Sequence, residues 1–390
     1  MKLTLRQQIT QFAHVLQTEL FPTLEEEVGE LDETARRLIA TLELIPLARF
    51  VPACRGWIGR PRKDRLAIAC ALVAKAVYGL TTTRQLIGRL EQDAQLRRLC
   101  GWDAGGQLPD EATFSRAFSE FAAMQLPHFV HEALIAETQK GRLIGHISRD
   151  STAIPARERL AAPTAKQQER AREVSRRTHK GKRGAHRRYK GGKPPRKASP
   201  ETRLGRQRAL PVDKMLAELP RHCSIGVKTK DGNQQYWRGY KLHLDVADGQ
   251  IPITALLTSA SLHDSQAAIP MATITAQRVT SLYDVMDAAY DAYDIREHSA
   301  SLGHVPIIRP RKRKQKEVPF SGREAWEAPE MTWAETDRFR ERTAVERVYS
   351  RLKDEFGARH IRVRGASKIM AHLMFGVLAL TADQILKLTS

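Results

Sequence analysis

Residues 236–257 read YWRGYKLHLDVADGQIPITALL, and the reading of this stretch decides the fold class. Apolar and polar residues alternate through 236–245 and again through 251–257, the period-two pattern of strands. Between them Ala247, Asp248 and Gly249 supply hairpin-turn chemistry, so two antiparallel strands are expected. Upstream, 143–147 is a short apolar run that ends at Arg149-Asp150-Ser151-Thr152. Downstream, the pattern predicts a helix from His263 and Asp264, a strand over 281–286 ending at Asp287, a helix near 292–302 and a strand over 305–308. Two long helices are expected over about 334–356 and 366–388. Three strands, then alternating helix and strand, then terminal helices, give an α/β class: a mixed sheet flanked by helices.

The first 140 residues have a different texture and read as all-α. Residues 23–43 open on a Thr followed by acids, a helix-start pattern. Residues 64–79 form an apolar run too long for a strand, which predicts a buried helix. Another helix is expected from Thr81 through Leu99, and Asp110 is placed to cap one carrying Phe114, Phe118 and Phe121. Short helices broken by turns suit a helix-turn-helix reader and equally a bundle that only packs. The organisation expected is a helical region over 1–140, a mixed-sheet domain over 141–390, and a basic insert over 157–222 within the latter.

The chain has 390 residues, 42% hydrophobic and 28% charged, enough for two domains with sizeable cores. Its formal charge is +20, and the excess is local: 157–208 holds 19 Lys/Arg against 4 Asp/Glu. That segment is interleaved with Gly, Pro and Ser, so it buries little surface and suits contact with a polyanion such as nucleic acid. Arg183, Arg187, Arg188 and Lys190 inside it are candidate phosphate contacts, as are Arg311 and Lys312 in a second run over 309–316. Four scattered cysteines exclude a disulfide scaffold and a Cys-rich zinc module. With no apolar leader at the N-terminus and no apolar run of membrane length, a cytoplasmic protein is expected.

Position singles out the carboxylates. Asp150 and Asp287 each stand where a strand is expected to end, the place where open α/β sheets build sites. On the 334–356 helix, Val345, Val348, Tyr349, Leu352 and Phe356 form one packing stripe. Arg342, Glu346 and Lys353 form a second stripe beside it. A carboxylate between two cations suits a metal ligand flanked by phosphate contacts, and it equally suits an exposed ion-pair ladder. Asp264 reads as a helix-start residue rather than a ligand.

The run Phe339-x2-Arg342-x3-Glu346-x6-Lys353 resembles the Y-x2-R-x3-E-x6-K signature of DDE-type insertion-sequence transposases. Asp150-Ser151-Thr152 is similar to that family's first-aspartate motif, and Asp287-Ala288-Ala289-Tyr290-Asp291 resembles its second. The likeness covers roughly 141–390, and the N-terminal helices look like the domain preceding such cores. Phe339 departs from the signature tyrosine, and the 59 residues from Asp287 to Glu346 leave no room for the large β-rich insertion of some relatives. The resemblance implies a ribonuclease H-like core with Asp150, Asp287 and Glu346 as catalytic metal ligands. It implies two Mg²⁺ or Mn²⁺ ions per site, with Arg342 and Lys353 on phosphates. It also implies cleavage of the element's terminal inverted repeats, strand transfer into target double-stranded DNA, and a homodimer across paired ends at the nucleoid. Two alternatives share these residues: a regulator derived from a transposase that has lost catalysis, and a structure-selective metal-dependent nuclease.

Overall fold

The hairpin at 236–257 forms one side of the sheet in the computed structural model, which describes residues 5–51, 63–103, 107–160, 169, 202–230, 233–310 and 330–388. The strands are β1 (Leu143–Pro155), β2 (Ser224–Lys230), β3 (Asn233–Ala247), β4 (Ile251–Ser259), β5 (Thr280–Met286) and β6 (Val305–Ile308). β3 pairs antiparallel with β4 on one side and β1 on the other; β5 and β6 follow in parallel with β1. β2 pairs only with the outer half of β3, from Ser224 opposite Gly239 to Lys230 opposite Asn233. This is the mixed, helix-flanked sheet of a ribonuclease H-like core.

β1 does not stop before Asp150. It runs on to Pro155, because Ser151–Ile154 keep pairing with β3 after β5 has left on the other side. Asp150 therefore sits inside a long strand, at the point where one of its two neighbours ends. The approach of β1 to β3 closes at Gly239, whose φ is +150°; a Cβ there would lie 2.1 Å from the Ile154 carbonyl oxygen. β4 is buried on both faces despite its alternation, since helices cover each side.

The N-terminal helices are α1 (Leu5–Val15), α2 (Phe21–Val28), α3 (Glu33–Leu44), α4 (Arg65–Val77), α5 (Thr83–Gln92), α6 (Ala94–Leu99), α7 (Glu111–Ala123) and α8 (Leu126–Gln139). Two runs expected as single helices are broken. Residues 23–43 divide at Gly29, where φ is +85°, and Asp32 rather than Thr23 caps α3. Residues 81–99 divide at Asp93, which ends α5 and caps α6. The caps at Asp64, Thr82 and Asp110 each accept backbone N–H bonds that the first turn would otherwise leave unpaired.

Beyond β1, α9 (Arg203–Gln207) and α10 (Val212–Ala217) fold at the end of the basic range, with Met215 and Leu219 buried. α11 (Ala268–Arg278) and α12 (Tyr293–Ser301) cover one face of the sheet. The opposite face carries α13 (Trp333–Arg338), a 3-10 turn at Phe339–Arg342, α14 (Thr343–Asp354) and α15 (Ala366–Lys387). The long helix expected over 334–356 is thus interrupted at 339–342, where the Glu341 carbonyl accepts the Ser148 hydroxyl at 2.7 Å. α15 packs on α3, α4, α7, α8 and β4, so one apolar cluster runs from Leu38 and Phe121 through Leu242 and Val345 to Leu378. It is long and apolar enough to cross a membrane by length and composition, but it is a core helix, mostly buried inside the fold.

Two neutral histidines lie in this core. His131 Nε2 shares the Pro252 carbonyl (3.1 Å) and Thr381 Oγ1 (3.2 Å), while His243 Nε2 meets Thr258 Oγ1 at 2.8 Å. Burial pushes His131 down to about 3 and His243 down to about 4. The unfolded chain protonates both near the ordinary 6.5, so between that pH and about 4 it takes up protons that the folded state refuses. Acidification from about pH 7 to about pH 5 is expected to cost about 4 kcal/mol from this pair. Asp150, whose carboxyl is raised in the fold, works in the opposite direction, so the comparison belongs in Asp150→Asn protein. Equal urea midpoints at the two pH values would contradict the expectation.

Candidate active site

The strand register builds the site. Arg149 lies opposite Met286 in the parallel β1–β5 pair, so the next step places Asp287 beside Asp150 just as β5 leaves the sheet. Asp287 then caps the short turn at Ala288–Tyr290, its Oδ1 accepting the Ala289 N–H at 2.8 Å. Ser148, Asp150 and Thr152 alternate onto the face covered by α14, while Arg149 points to the other face.

α14 is fixed by the stripe expected from its sequence: Val345, Val348, Tyr349, Leu352 and Phe356 are all buried. Tyr349 ties helix to sheet, its hydroxyl donating to the Asp150 carbonyl (2.7 Å) and the Leu242 carbonyl (3.0 Å). The second stripe meets the sheet in two places. Lys353 Nζ donates to Thr152 Oγ1 at 2.5 Å, and Arg342 lies within electrostatic reach of Asp150. Glu346 is half-exposed and pairs with Arg342 Nη2 at 2.8 Å, so the ion-pair reading of this stripe holds for these two residues.

Burial, and then the charges of Asp287 and Asp264, push the Asp150 carboxyl up to about 7, against the pull of the Ser151 N–H and of Arg342. Asp264 starts the helical turn Asp264–Ala267, as its sequence position predicts. His263 takes the cap position, and Asp264 binds Lys241 Nζ at 2.8 Å while facing Asp150. The Tyr290 hydroxyl, fully buried among Asp264, Asp150 and Asp287, has no hydrogen-bond partner among the described residues. Burial and these three acids raise it well above the ordinary tyrosine range.

Hard oxygen donors crowded until one protonates near neutrality, around an orphaned hydroxyl, fit a divalent cation. Among the described residues no three acidic, His or Cys side chains converge tightly enough as they stand to hold one, and Glu346 is turned to Arg342. Arg342 is therefore the cation that faces both Asp150 and Glu346. Burial, then Arg359 and Lys228 nearby, keep Lys353 below the ordinary lysine range. Arg183, Arg187, Arg188, Lys190, Arg311 and Lys312 lie outside the described residues.

Sequence reading missed the proximity of Asp264 and Lys241 to Asp150. Their only signal was the Ser261-Leu262-His263-Asp264 turn after β4, which resembles any helix start.

A family model described as a transposase DDE domain matches residues 204–382, a span that contains Asp287, Glu346 and most of α15. A second, described as a transposase domain (DUF772), matches residues 23–120, from α2 into α7. No curated protein and no solved structure gave a match. Two separate stretches of the chain thus answer to transposase sequences: the chain belongs to the DDE-type insertion-sequence transposases.

Proposed function

We propose that this transposase binds the terminal inverted repeats of its insertion sequence, cleaves the ends and transfers the strands into target DNA by phosphoryl transfer. The family is one of DNA-cleaving, strand-joining enzymes that use divalent metal ions. The observation that carries the reading is the β1–β5 register, which sets Asp287 beside Asp150 with Arg342 in reach.

Asp150, Asp287 and Glu346 would hold two Mg²⁺ or Mn²⁺ ions, which activate the attacking oxygen and stabilise the leaving one when bound. Asp150, buried and within electrostatic reach of Asp287 and Arg342, would be the innermost of these ligands. Glu346 exchanges Arg342 for the site, which releases a guanidinium whose planar fork suits a phosphate. Lys353, held over Thr152, offers a point charge further along the same strand. The 1–140 helices and the basic range over 157–222 would supply DNA contact, and two copies would act together across paired ends on nucleoid DNA.

The test is a labelled duplex carrying the element's terminal repeat, incubated with the full chain, Mg²⁺ and a target plasmid. Strand cleavage at the repeat boundary followed by a joined product is expected, and both are expected to vanish with chelator. Cutting without joining would replace transposition by a nuclease function. Binding without cutting would leave a regulator.

A further inference from the structure

The segment after α14 alternates in a way that the active site does not explain. Ile361 is buried and Val363 packs against the core, so His360, Arg362 and Arg364 all face outward. Facing them is the chain leaving β1, pinned by Glu158. One carboxylate oxygen accepts the Gly365 N–H at 2.6 Å and the other accepts the Tyr240 hydroxyl at 2.9 Å. This double tie fixes Arg157 beside the 359–362 segment, and between them lies a cavity of about 180 Å³ rimmed by Arg157, Arg359, His360 and Arg362.

The charge of this cavity is not balanced. Arg359 is paired with Asp354. Among the described residues neither Arg157 nor Arg362 has a carboxylate partner, and both are exposed. Guanidinium groups crowded around a hollow repel one another unless an anion joins them, and their planar forks match phosphate oxygens. The cavity also continues a line: Arg359 and Lys228 lie within electrostatic reach of Lys353, which touches Thr152, two residues from Asp150. β1 stays extended from Asp150 to Pro155, so Arg157 lies about 20 Å along the chain from Asp150, a reach of several phosphates on one DNA strand.

We infer that the cavity between Arg157 and Arg362 is a phosphodiester-binding site that grips the DNA backbone several nucleotides from the scissile bond. The inference rests on the proposed DNA-cleaving site only for its distance from that bond. The cations hold the strand after it passes Lys353, so that the reacting phosphate meets the carboxylates without sliding.

The experiment compares full-length chain with the Arg157→Ala/Arg362→Ala variant. Fluorescence anisotropy on a labelled random-sequence duplex gives log K against log salt, and loss of two phosphate contacts is expected to flatten the slope by about 1.8. Ethylation interference on the labelled terminal-repeat duplex is expected to lose signals several phosphates from the cleavage point, leaving those at the cleavage point in place. Arg157→Lys/Arg362→Lys is expected to restore most of the slope, because it keeps the charge. An unchanged slope and footprint in the alanine variant, or a lysine variant no better than alanine, would overturn the inference. Cleavage is scored separately: a wild-type chain that shows the slope change but never cuts DNA keeps the cavity and loses the catalytic reading.

Discussion

Asp150→Asn is expected to reduce cleavage of a terminal-repeat duplex by at least ~10³-fold, about 4 kcal/mol of transition-state stabilisation. The same loss is expected for Asp287→Asn and Glu346→Gln. Folding should survive all three. Burial already disfavours the charged form of Asp150, so a neutral amide removes a penalty instead of a support. Glu346 is half-exposed and makes one helix-surface ion pair, worth at most ~1 kcal/mol. Asp264→Asn is the informative control. Its carboxylate faces Asp150 but is tied to Lys241, so cleavage within about tenfold of wild type is expected. Wild-type rates in any of the first three would remove that residue from the site. Inactivity of Asp264→Asn would bring it in. Gel-resolved initial rates in Mg²⁺, beside melting curves, decide between these outcomes.

The second large effect concerns stability, one residue away. Arg149 lies completely buried and grips Asp245 with two bonds of 2.7 Å, Nε to Oδ1 and Nη2 to Oδ2. Its Nη2 is also 3.9 Å from Asp284. Asp245 accepts the Thr275 hydroxyl of α11 at 2.6 Å, and Asp284 is held by Ser299 and by His304 at 3.2 Å. The network joins β1, β3, β5, α11 and α12 at the back of the active site. Arg149→Met leaves two carboxylates buried without their cation, so a loss of about 3–5 kcal/mol is expected. Asp245→Leu is expected to cost a similar amount, and the double variant less than the sum, since it buries no orphan from that pair. Urea midpoints measure all three. A cost below ~1 kcal/mol for Arg149→Met would mean that water reaches the site and screens it.

Much of this architecture was legible in the order of residues. The β3–β4 hairpin, the end of β5 at Asp287 and the buried stripe of α14 follow from local periodicity and turn chemistry, which a short window of sequence contains. The errors share a cause. β1 extends past Asp150 because β3 continues to pair with it, a partner no local window contains. The break at 339–342 follows from a hydroxyl 193 residues upstream reaching a helix carbonyl. Asp264 does start a helical turn, as read, but its proximity to Asp150 was not legible, because that is a property of the folded sheet and not of the turn that carries it. The rotation of Glu346 toward Arg342 was one of two patterns that the i,i+4 spacing allows equally.

The position of α15 has a consequence for biosynthesis. The helices of the first 140 residues pack on it, yet it is translated more than two hundred residues after α8. At ~5–20 residues per second, the nascent bundle waits roughly 10–50 s on the ribosome with its apolar faces incomplete. Over that interval the emerging polypeptide is a natural client for a chaperone, and abortive products that stop before α15 are natural substrates for proteolysis.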